Sequence, residues 1–236
     1  MSEKILGVLG GLGPLATVYF MDLVVKMTEA KKDQDHISMI VLNHAAIPDR
    51  TDFILDAGKP NPLPMMIEDA KKLQAAGADY VVMPCNTAHF FYEQIQNNIT
   101  IPMLNIIEET VKYARDEMGV KKLGILATKG TVSAGSYQRM CENYGVEWAV
   151  PSLQDEQSLM NIIYNQVKAG KEINISEFNK IIANMKADGC DAVALGCTEL
   201  SVINKDFDLC RKDIIDSLEV LAGRSIELCG KTLKEG

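Results

Sequence analysis

Two cysteines of this chain stand in matching surroundings that could support proton transfer. Cys85 comes one proline after the apolar run 80–83, Cys197 comes one glycine after the apolar run 192–195, and a threonine follows shortly after each. A thiolate accepts a proton and a thiol gives one back, so either side chain can serve as base or acid. We expect each thiol to lie near the start of a helix, which stabilises the thiolate and lowers the thiol pKa from about 8.5.

A matched pair of thiols predicts inversion at a carbon atom that carries an acidic hydrogen. If the thiols face each other across one ligand, one removes a proton from one face while the other delivers a proton to the opposite face. Each direction needs a different protonation state, so a two-base enzyme needs similar groups on both sides. Racemisation therefore fits the pair, but a core position duplicated with the rest of the chain would also produce matched cysteines.

The remaining cysteines show no such pattern. The chain has no C-x-x-C pair, so the usual redox and zinc-ribbon signatures are absent from its sequence. Buried cysteine commonly behaves as a small apolar residue. We expect free thiols in the core at Cys141, Cys190, Cys210 and Cys229.

Short apolar runs alternate with longer amphipathic stretches, and this alternation predicts how the thiols are positioned. Strands are expected at 5–9, 38–43 and 80–83, with helices at 16–26 and 62–76. Continuous Val, Ile and Leu runs bounded by Gly and Pro are typical of parallel strands covered on both faces. The pattern predicts a doubly wound α/β fold, in which ligands bind beyond the carboxyl ends of the strands.

The second half of the chain repeats the first. The segment 4–9 resembles 121–126, at an offset of 117 residues, and the segment 76–87 resembles 187–198, with Cys85 and Cys197 offset by 112 residues. The repeat predicts two similar α/β lobes with a ligand cleft between them, and a C-terminal helix that packs back on the first lobe. The predicted first lobe is 1–103 plus 213–236, its C-terminal helix is 213–233, and the predicted second lobe is 104–212.

Composition narrows the class of protein. The 236 residues are 47% hydrophobic and 24% charged, with a net charge of −8, which is ordinary for a globular protein and unfavourable for binding a nucleic-acid backbone. The sequence contains no run of about 18 apolar residues and its N-terminal segment does not resemble a signal peptide. We therefore expect a cytoplasmic protein that binds neither membrane nor nucleic acid.

Several motifs together resemble those of a known family. The sequences Met-Pro-Cys-Asn-Thr-Ala-His at 83–89 and Gly-Cys-Thr-Glu-Leu at 196–200 resemble the paired cysteine motifs of the aspartate/glutamate racemase family. The sequences Gly-Gly-Leu-Gly-Pro at 10–14 and Ile-Pro-Asp-Arg-Thr at 47–51 are similar to its aspartate-racemase branch. Glutamate racemases usually carry a histidine where this chain has Glu199. The resemblance covers essentially the whole chain.

The resemblance implies an isomerase that uses neither pyridoxal phosphate nor a metal, and a homodimer. An acidic amino acid, aspartate or glutamate, would lie between the catalytic Cys85 and Cys197. The Arg50 guanidinium can bind a carboxylate through two parallel hydrogen bonds. Its presence argues that the substrate carries an acidic side chain and is not a hydantoin ring. The implied ligands of the α-carboxylate and amino groups are Asn86, Thr87, Thr128 and Thr198. The implied ligands of the side-chain carboxylate are Arg50 and Lys168.

Two other functions fit some of the same residues. Cys85, His89, Cys197 and Glu199 could converge on a metal ion and make the protein a metal-dependent hydrolase, since Cys85 and His89 lie one helical turn apart. A cleft between two lobes would also suit a non-catalytic protein that binds a small ligand. Such a protein, however, gives no reason for a matched pair of thiols.

The glycine-rich segment 11–16 fits the pattern G-x-G-x-x-A of dinucleotide-binding proteins. No clean strand ending in an acidic residue follows about 20 positions later, as that fold requires. We therefore do not expect NAD to bind, and a turn that approaches a small anionic ligand would explain the same residues.

Overall fold

The first half of the chain forms a parallel sheet with the order β2-β1-β3. The computed structural model describes residues 3–207, 209 and 212–234, so Cys210 lies outside the described residues. The strands are β1 (Ile5–Gly10), β2 (Ser38–Asn43) and β3 (Tyr80–Val82). A single parallel bridge between Val81 and Met103 extends this sheet beyond β3.

The second half forms another parallel sheet, with the order β5-β4-β6-β7. Its strands are β4 (Lys122–Ala127), β5 (Glu147–Ala149), β6 (Ala192–Gly196) and β7 (Ile214–Asp216). If Met103 is counted as the fourth member of the first sheet, the two sheets have the same order. The predicted α/β fold with two similar lobes is thereby confirmed.

Helices connect the strands and cover both sheets. In the first half they are α1 (Pro14–Met27), α2 (Arg50–Leu55), α3 (Leu63–Ala75), α4 (Tyr92–Gln96) and α5 (Ile106–Asp116). In the second half they are α6 (Lys129–Ser133), α7 (Ser136–Tyr144), α8 (Leu153–Asn161), α9 (Ile175–Ala187), α10 (Thr198–Phe207) and α11 (Ser217–Leu228). Within the described ranges, none of the helices is long and apolar enough to cross a membrane.

The prediction of one helix over 213–233 is wrong at both ends, because a strand precedes the helix and α11 ends at Leu228. Ile214 and Ile215 pair with β6 as strand β7, and the helix α11 begins only at Ser217, after the cap provided by Asp216. The rest of the C-terminal segment does return to the first half of the chain, because α11 packs on α1 and Leu233 bridges to Thr28. The division into lobes at 1–103 plus 213–236 and at 104–212 stays a prediction.

The two halves share one apolar core where they meet. Leu6 of β1, Leu123 and Ile125 of β4, and Leu221 of α11 are at most 1% exposed and belong to the same cluster. Two further clusters lie on the outer faces of the sheets, one in each half. The shared core sets the carboxyl ends of β1, β3, β4 and β6 in a fixed relation to each other.

The turn between β1 and α1 requires glycine for packing. Gly11 has a φ of +89°, and a Cβ atom there would lie 2.4–2.6 Å from the backbone of His44. The Gly11 N–H donates to the Thr17 hydroxyl at 2.9 Å, and that hydroxyl lies 3.2 Å from the Gly13 carbonyl. The glycine-rich pattern is therefore accounted for by close backbone packing in this turn.

Candidate active site

A cavity lies between the two halves, at the carboxyl ends of their central strands. Every residue predicted to be catalytic or substrate-binding lines it: Cys85, Cys197, Arg50, Asn86, Thr87, Thr128, Lys168 and Thr198. The other lining residues are Leu12, Asp49, Thr51, Tyr164 and Glu199. The structure thus brings together all the residues that were singled out from motifs far apart in the chain.

The cavity is almost closed. The volume open to the centre of a water molecule is about 10 Å³, which is room for roughly one water. A second cavity of about 410 Å³ adjoins it and shares Asp49, Arg50, Lys168, Thr198 and Glu199 as walls. An amino acid can therefore occupy the first cavity only if its walls move apart.

Contacts between the halves close the cavity on another side. The Tyr164 hydroxyl donates to Thr51 Oγ1 at 3.2 Å. Gly130, at the start of α6, allows α2 to approach closely, since a Cβ atom at this position would lie 2.9–3.1 Å from atoms of Thr51. The closed arrangement therefore depends on a residue without a side chain at position 130.

The two thiols occupy equivalent places in the two sheets. Cys197 directly follows β6 and precedes the first residue of α10. Cys85 is separated from β3 by two residues and from the 3₁₀ turn Thr87–Phe91 by one. Both side chains are buried, with exposures of 5% for Cys85 and 3% for Cys197. Both lie where the sequence predicted, at strand ends beside a helical turn.

The expected lowering of the thiol pKa values is wrong. Burial raises the pKa of Cys85, although the Arg50 guanidinium and the Ala88 N–H oppose the shift. Burial also raises the pKa of Cys197, well above its ordinary value, and the Glu199 carboxylate raises it further. In this nearly dry cavity the cost of desolvating a thiolate outweighs the favourable field at the start of a helix. Both cysteines are therefore protonated at neutral pH in the closed site.

Glu199 links Cys197 to the lysine predicted to bind substrate. The Cys197 thiol donates to Glu199 Oε2 at 2.9 Å, and Glu199 Oε1 lies 3.7 Å from Lys168 Nζ. The ammonium group of Lys168 also lies 4.5 Å from the centre of the Tyr164 ring. Burial alone would lower the pKa of Lys168, but the Glu199 carboxylate contributes most to raising it, so the lysine is charged.

Lys168 reaches the cavity because of an irregular helix. The segment Ile162–Val167 is π-helical and Lys168 follows it directly. A π-helical turn changes which side chains face the site, and such turns are frequent at functional sites. Sequence spacing is interpreted with the regular period of 3.6 residues per turn, so it could not predict this placement of Lys168 and Tyr164.

Arg50 is buried, and one of its three nitrogens has no hydrogen-bond partner. Its Nη2 donates to the Leu12 carbonyl at 2.7 Å and its Nη1 donates to the Pro48 carbonyl at 3.0 Å. Asp49 caps the helix α2 that begins with Arg50, by accepting from the Asp52 N–H at 3.0 Å. The Arg50 Nε is buried without a hydrogen-bond partner. A buried N–H of a guanidinium with no acceptor is suited to an anionic ligand.

Three threonine hydroxyls form a ring across the cleft. Thr87 Oγ1 lies 2.9 Å from both Thr128 Oγ1 and Thr131 Oγ1, and the last two are 3.0 Å apart. Thr131 was not predicted, although its position three residues after the helix cap Thr128 is the place where capping brings side chains together. Each threonine hydroxyl can donate one hydrogen bond and accept others. One of the three can therefore turn its donor toward a substrate oxygen while the other two remain hydrogen-bonded to each other.

Asn86 is largely engaged in joining the halves. Its Oδ1 accepts from the Tyr137 hydroxyl at 2.8 Å, and its Nδ2 donates to Ser217 Oγ at 2.9 Å. Ser217 in turn donates to the Leu195 carbonyl at 2.7 Å. Only the second N–H of the Asn86 amide is left for a ligand. Thr198, the first residue of α10, is buried beside it in the cavity wall.

His89 supports the backbone around Cys85. Its Nε2 accepts from the Ile106 N–H at 3.2 Å, which leaves Nδ1 as the donor to the Cys85 carbonyl at 2.8 Å. Burial lowers the pKa of His89 to about 4. Because both ring nitrogens are occupied by the backbone, His89 is not free to bind a metal. Among the residues that the structure describes, no group of three or more His, Cys, Asp or Glu side chains is arranged to hold a metal ion.

The chain is similar to several known proteins along most of its length. It is 32% identical to the aspartate racemase of Picrophilus torridus, with a TM-score of 0.83, over 98% of this chain and 96% of that one. It is 30% identical to the broad specificity amino-acid racemase RacX of Bacillus subtilis, over 78% of this chain and 89% of the relative. It is also 30% identical to the glutamate racemase of Aquifex pyrophilus, over 66% of this chain and 61% of the relative.

The family assignment rests on a match that includes both thiols and the whole cavity wall. The model of the family described as Asp/Glu/hydantoin racemase matches residues 9–224. The resemblance first seen in the cysteine motifs is confirmed by this match and by the structural similarity. The chain belongs to the Asp/Glu/hydantoin racemase family.

Proposed function

We propose that the protein interconverts L- and D-aspartate without pyridoxal phosphate, with Cys85 and Cys197 as the acid and base. One observation carries the proposal: two buried thiols at equivalent strand ends line one closed cavity together with the cations Arg50 and Lys168. A thiol that only fills the core needs no symmetric partner. Removal of a proton from one face of the substrate and delivery of a proton to the opposite face needs two groups.

The cavity walls supply what this proton transfer needs. The α-hydrogen of an amino acid is a very weak acid, and with no cofactor to delocalise the carbanion its charge must be stabilised on the α-carboxylate. Hydroxyl and amide donors of Thr87, Thr128, Thr198 and Asn86 would bind that carboxylate and the amino group. The nearly dry cavity strengthens such hydrogen bonds because little water competes for them.

The side chain of the substrate is proposed to be acidic. Arg50 carries a buried Nε donor with no acceptor, and Lys168 is charged and lines the same cavity. These two cations would bind a side-chain carboxylate, and glutamate, one methylene longer, is the second substrate to test. The named activities of the Picrophilus and Bacillus relatives, an aspartate racemase and a broad specificity amino-acid racemase, support this range.

Location and assembly belong to the same proposal. The described cysteines are all free thiols, which fits the reducing cytoplasm. The homodimer and the independence from cofactor and metal were implied by the family resemblance, and they stay predictions.

The test is a racemisation assay on protein treated with a chelator, without added pyridoxal phosphate. L-aspartate and L-glutamate are each incubated with the wild type and with the variants Cys85→Ala, Cys197→Ala and Cys190→Ala, and the enantiomers are separated by chiral chromatography. Cys190 is a matched control because it is as buried as Cys197 but lies outside the cavity.

We expect D-aspartate from the wild type and from Cys190→Ala, and loss of racemisation in the other two variants. Absence of racemisation with both amino acids would overturn the proposal. Persistent racemisation in either Cys85→Ala or Cys197→Ala would contradict the two-thiol assignment.

A further inference from the structure

A chain of three hydrogen bonds passes through Asn86, the residue after Cys85. The Tyr137 hydroxyl donates to Asn86 Oδ1 at 2.8 Å. Asn86 Nδ2 donates to Ser217 Oγ at 2.9 Å, and Ser217 in turn donates to the Leu195 carbonyl at 2.7 Å. Tyr137 and Ser217 are fully buried and neither of them lines the cavity, whereas Asn86 does. Both can therefore affect a ligand only through the groups to which they bond.

The order of donors along this chain is fixed from its end. A backbone carbonyl can only accept, so the one hydroxyl proton of Ser217 is given to Leu195, and Ser217 must accept from Asn86. The Asn86 amide then presents an N–H to Ser217 and its oxygen to Tyr137. Burial raises the pKa of Tyr137, so its hydroxyl keeps the proton that it donates. A flipped amide would bring its oxygen to Ser217, which has no second proton to give.

The Tyr137 ring lies against Gly196, the residue before Cys197. A Cβ atom at position 196 would lie 2.9 Å from Cε2 of this ring and 3.2 Å from the Ala127 Cβ. Any other residue at position 196 would therefore displace the ring. The missing side chain beside one thiol makes room for the tyrosine that bonds to the residue beside the other thiol.

On the basis of the racemisation proposed above, we infer that Tyr137 and Ser217 are positioning residues, which hold the Asn86 amide so that its second N–H is offered to the α-carboxylate of the substrate. The first N–H is occupied by Ser217, and the amide oxygen, which would repel a carboxylate, is engaged by Tyr137. Negative charge grows on the α-carboxylate as the α-proton leaves. A donor fixed in place therefore stabilises the transition state more than it stabilises the bound substrate.

The first test is kinetic and compares Tyr137→Phe and Ser217→Ala with the wild type, at a temperature at which circular dichroism shows every variant to be folded. Each substitution should lower kcat for aspartate by about tenfold and change KM by less than about threefold. Ser225→Ala is the matched control and should leave kcat unchanged. Ser225 is also a fully buried serine of α11 that donates to a backbone carbonyl, that of Leu221 at 2.6 Å.

Double variants separate positioning from a general structural effect. If Tyr137 and Ser217 act through Asn86, adding either substitution to Asn86→Ala should lower kcat by less than about twofold further. A further loss of about tenfold, equal to that in the wild-type background, would show that the residue acts independently of Asn86 and would overturn the inference. An unchanged kcat in both single variants would overturn it as well.

The second test does not depend on racemisation. The carboxamide signals of Asn86 are identified in proton–nitrogen correlation NMR spectra by their loss in Asn86→Ala. In the free protein, Ser217→Ala should shift the signal of one Nδ2 proton strongly and that of the other weakly, and Ser225→Ala should shift neither. Tyr137→Phe should shift the signal of the Asn86 Cγ carbon, because the amide oxygen loses its donor.

Succinate, which is aspartate without its amino group, is then added to the wild type. It should shift the Nδ2 proton that is not bonded to Ser217. Equal shifts of both protons in Ser217→Ala would contradict the fixed amide, even in a protein that racemises nothing. No response of Asn86 to succinate would overturn the proposed contact with a carboxylate.

Discussion

Replacing Arg50 by lysine tests how the site recognises an acidic substrate. Lysine keeps the positive charge but has a single nitrogen in place of the planar guanidinium. In the structure, two nitrogens of Arg50 donate to the Leu12 and Pro48 carbonyls, and the third is buried without a partner. A lysine ammonium that replaced one of these backbone contacts could not also present the Nε donor.

The magnitude follows from the hydrogen bond that is lost. A hydrogen bond to a charged group contributes about 1.5–3 kcal/mol, and each 1.36 kcal/mol corresponds to a factor of ten. Arg50→Lys should therefore lower kcat/KM for L-aspartate by roughly 10- to 150-fold. Malonate, a dicarboxylate without an amino group, should inhibit the wild type competitively and bind more weakly to the variant by a similar factor.

The assay compares initial rates of D-aspartate formation for the wild type, Arg50→Lys and Arg139→Lys. Arg139 is an exposed arginine that also donates to a backbone carbonyl, that of Ala134 at 2.6 Å, so it controls for the exchange of side chains in itself. A kcat/KM for Arg50→Lys within about threefold of that of Arg139→Lys would refute the assignment of Arg50 to the substrate carboxylate.

Three other predictions concern the supports of the site. Tyr137→Phe leaves the buried Asn86 Oδ1 without its 2.8 Å donor, so denaturant unfolding should show a loss of about 1–3 kcal/mol, with the smaller change in Tyr144→Phe serving as the control. Burial holds the pKa of His89 at about 4 instead of 6.5, so the folded protein loses stability as the pH falls from about 6.5 to about 4. The free energy of unfolding of the wild type, relative to that of His89→Gln, should therefore fall by up to about 3 kcal/mol between pH 7 and pH 4. Gly130→Ala places a Cβ atom 2.9–3.1 Å from atoms of Thr51 in α2, so closure of the cavity should be impaired. We expect kcat/KM to fall by about tenfold or more with little loss of stability. An unchanged kcat/KM would show that this contact is not needed for closure.

The fold was predictable because its strands are buried on both faces. In a chain that alternates apolar runs with amphipathic segments, runs such as those in β1 and β4 predict buried parallel strands. The internal repeat indicated that the two halves are alike. The error at the C-terminus has a local cause. Strand β7 has three residues and passes directly into α11, so no turn residues separate the strand pattern from the helix pattern.

The positions of the thiols were predictable for a similar reason. Cys85 and Cys197 follow strands whose direction and layer were clear, and parallel strands bring their carboxyl ends to one edge of the sheet. Tyr164 and Asp49 were not predicted as lining residues. Tyr164 reaches the cavity through a π-helical turn, and Asp49 is the N-cap of the short helix α2. Neither feature has a periodic signal in the sequence.

The protonation of the thiols could not be predicted at all from the sequence. A helix start favours the thiolate, and this effect is readable from residue order, but the opposing cost depends on how completely the lobes close over the sulfur atoms. That closure arises from contacts between residues far apart in the chain, such as Thr51 with Tyr164. The direction of the pKa shift was therefore decided by tertiary packing.

The most direct test of the two-thiol account is racemisation of L-aspartate in D₂O, stopped at low conversion and examined by NMR and chiral mass spectrometry. Two thiols on opposite faces predict that the D-aspartate carries deuterium at Cα, delivered by an exchanged thiol, while the recovered L-aspartate retains its proton in early samples. D-aspartate that keeps the original hydrogen would show that one group both removes and returns the proton, and it would contradict the account.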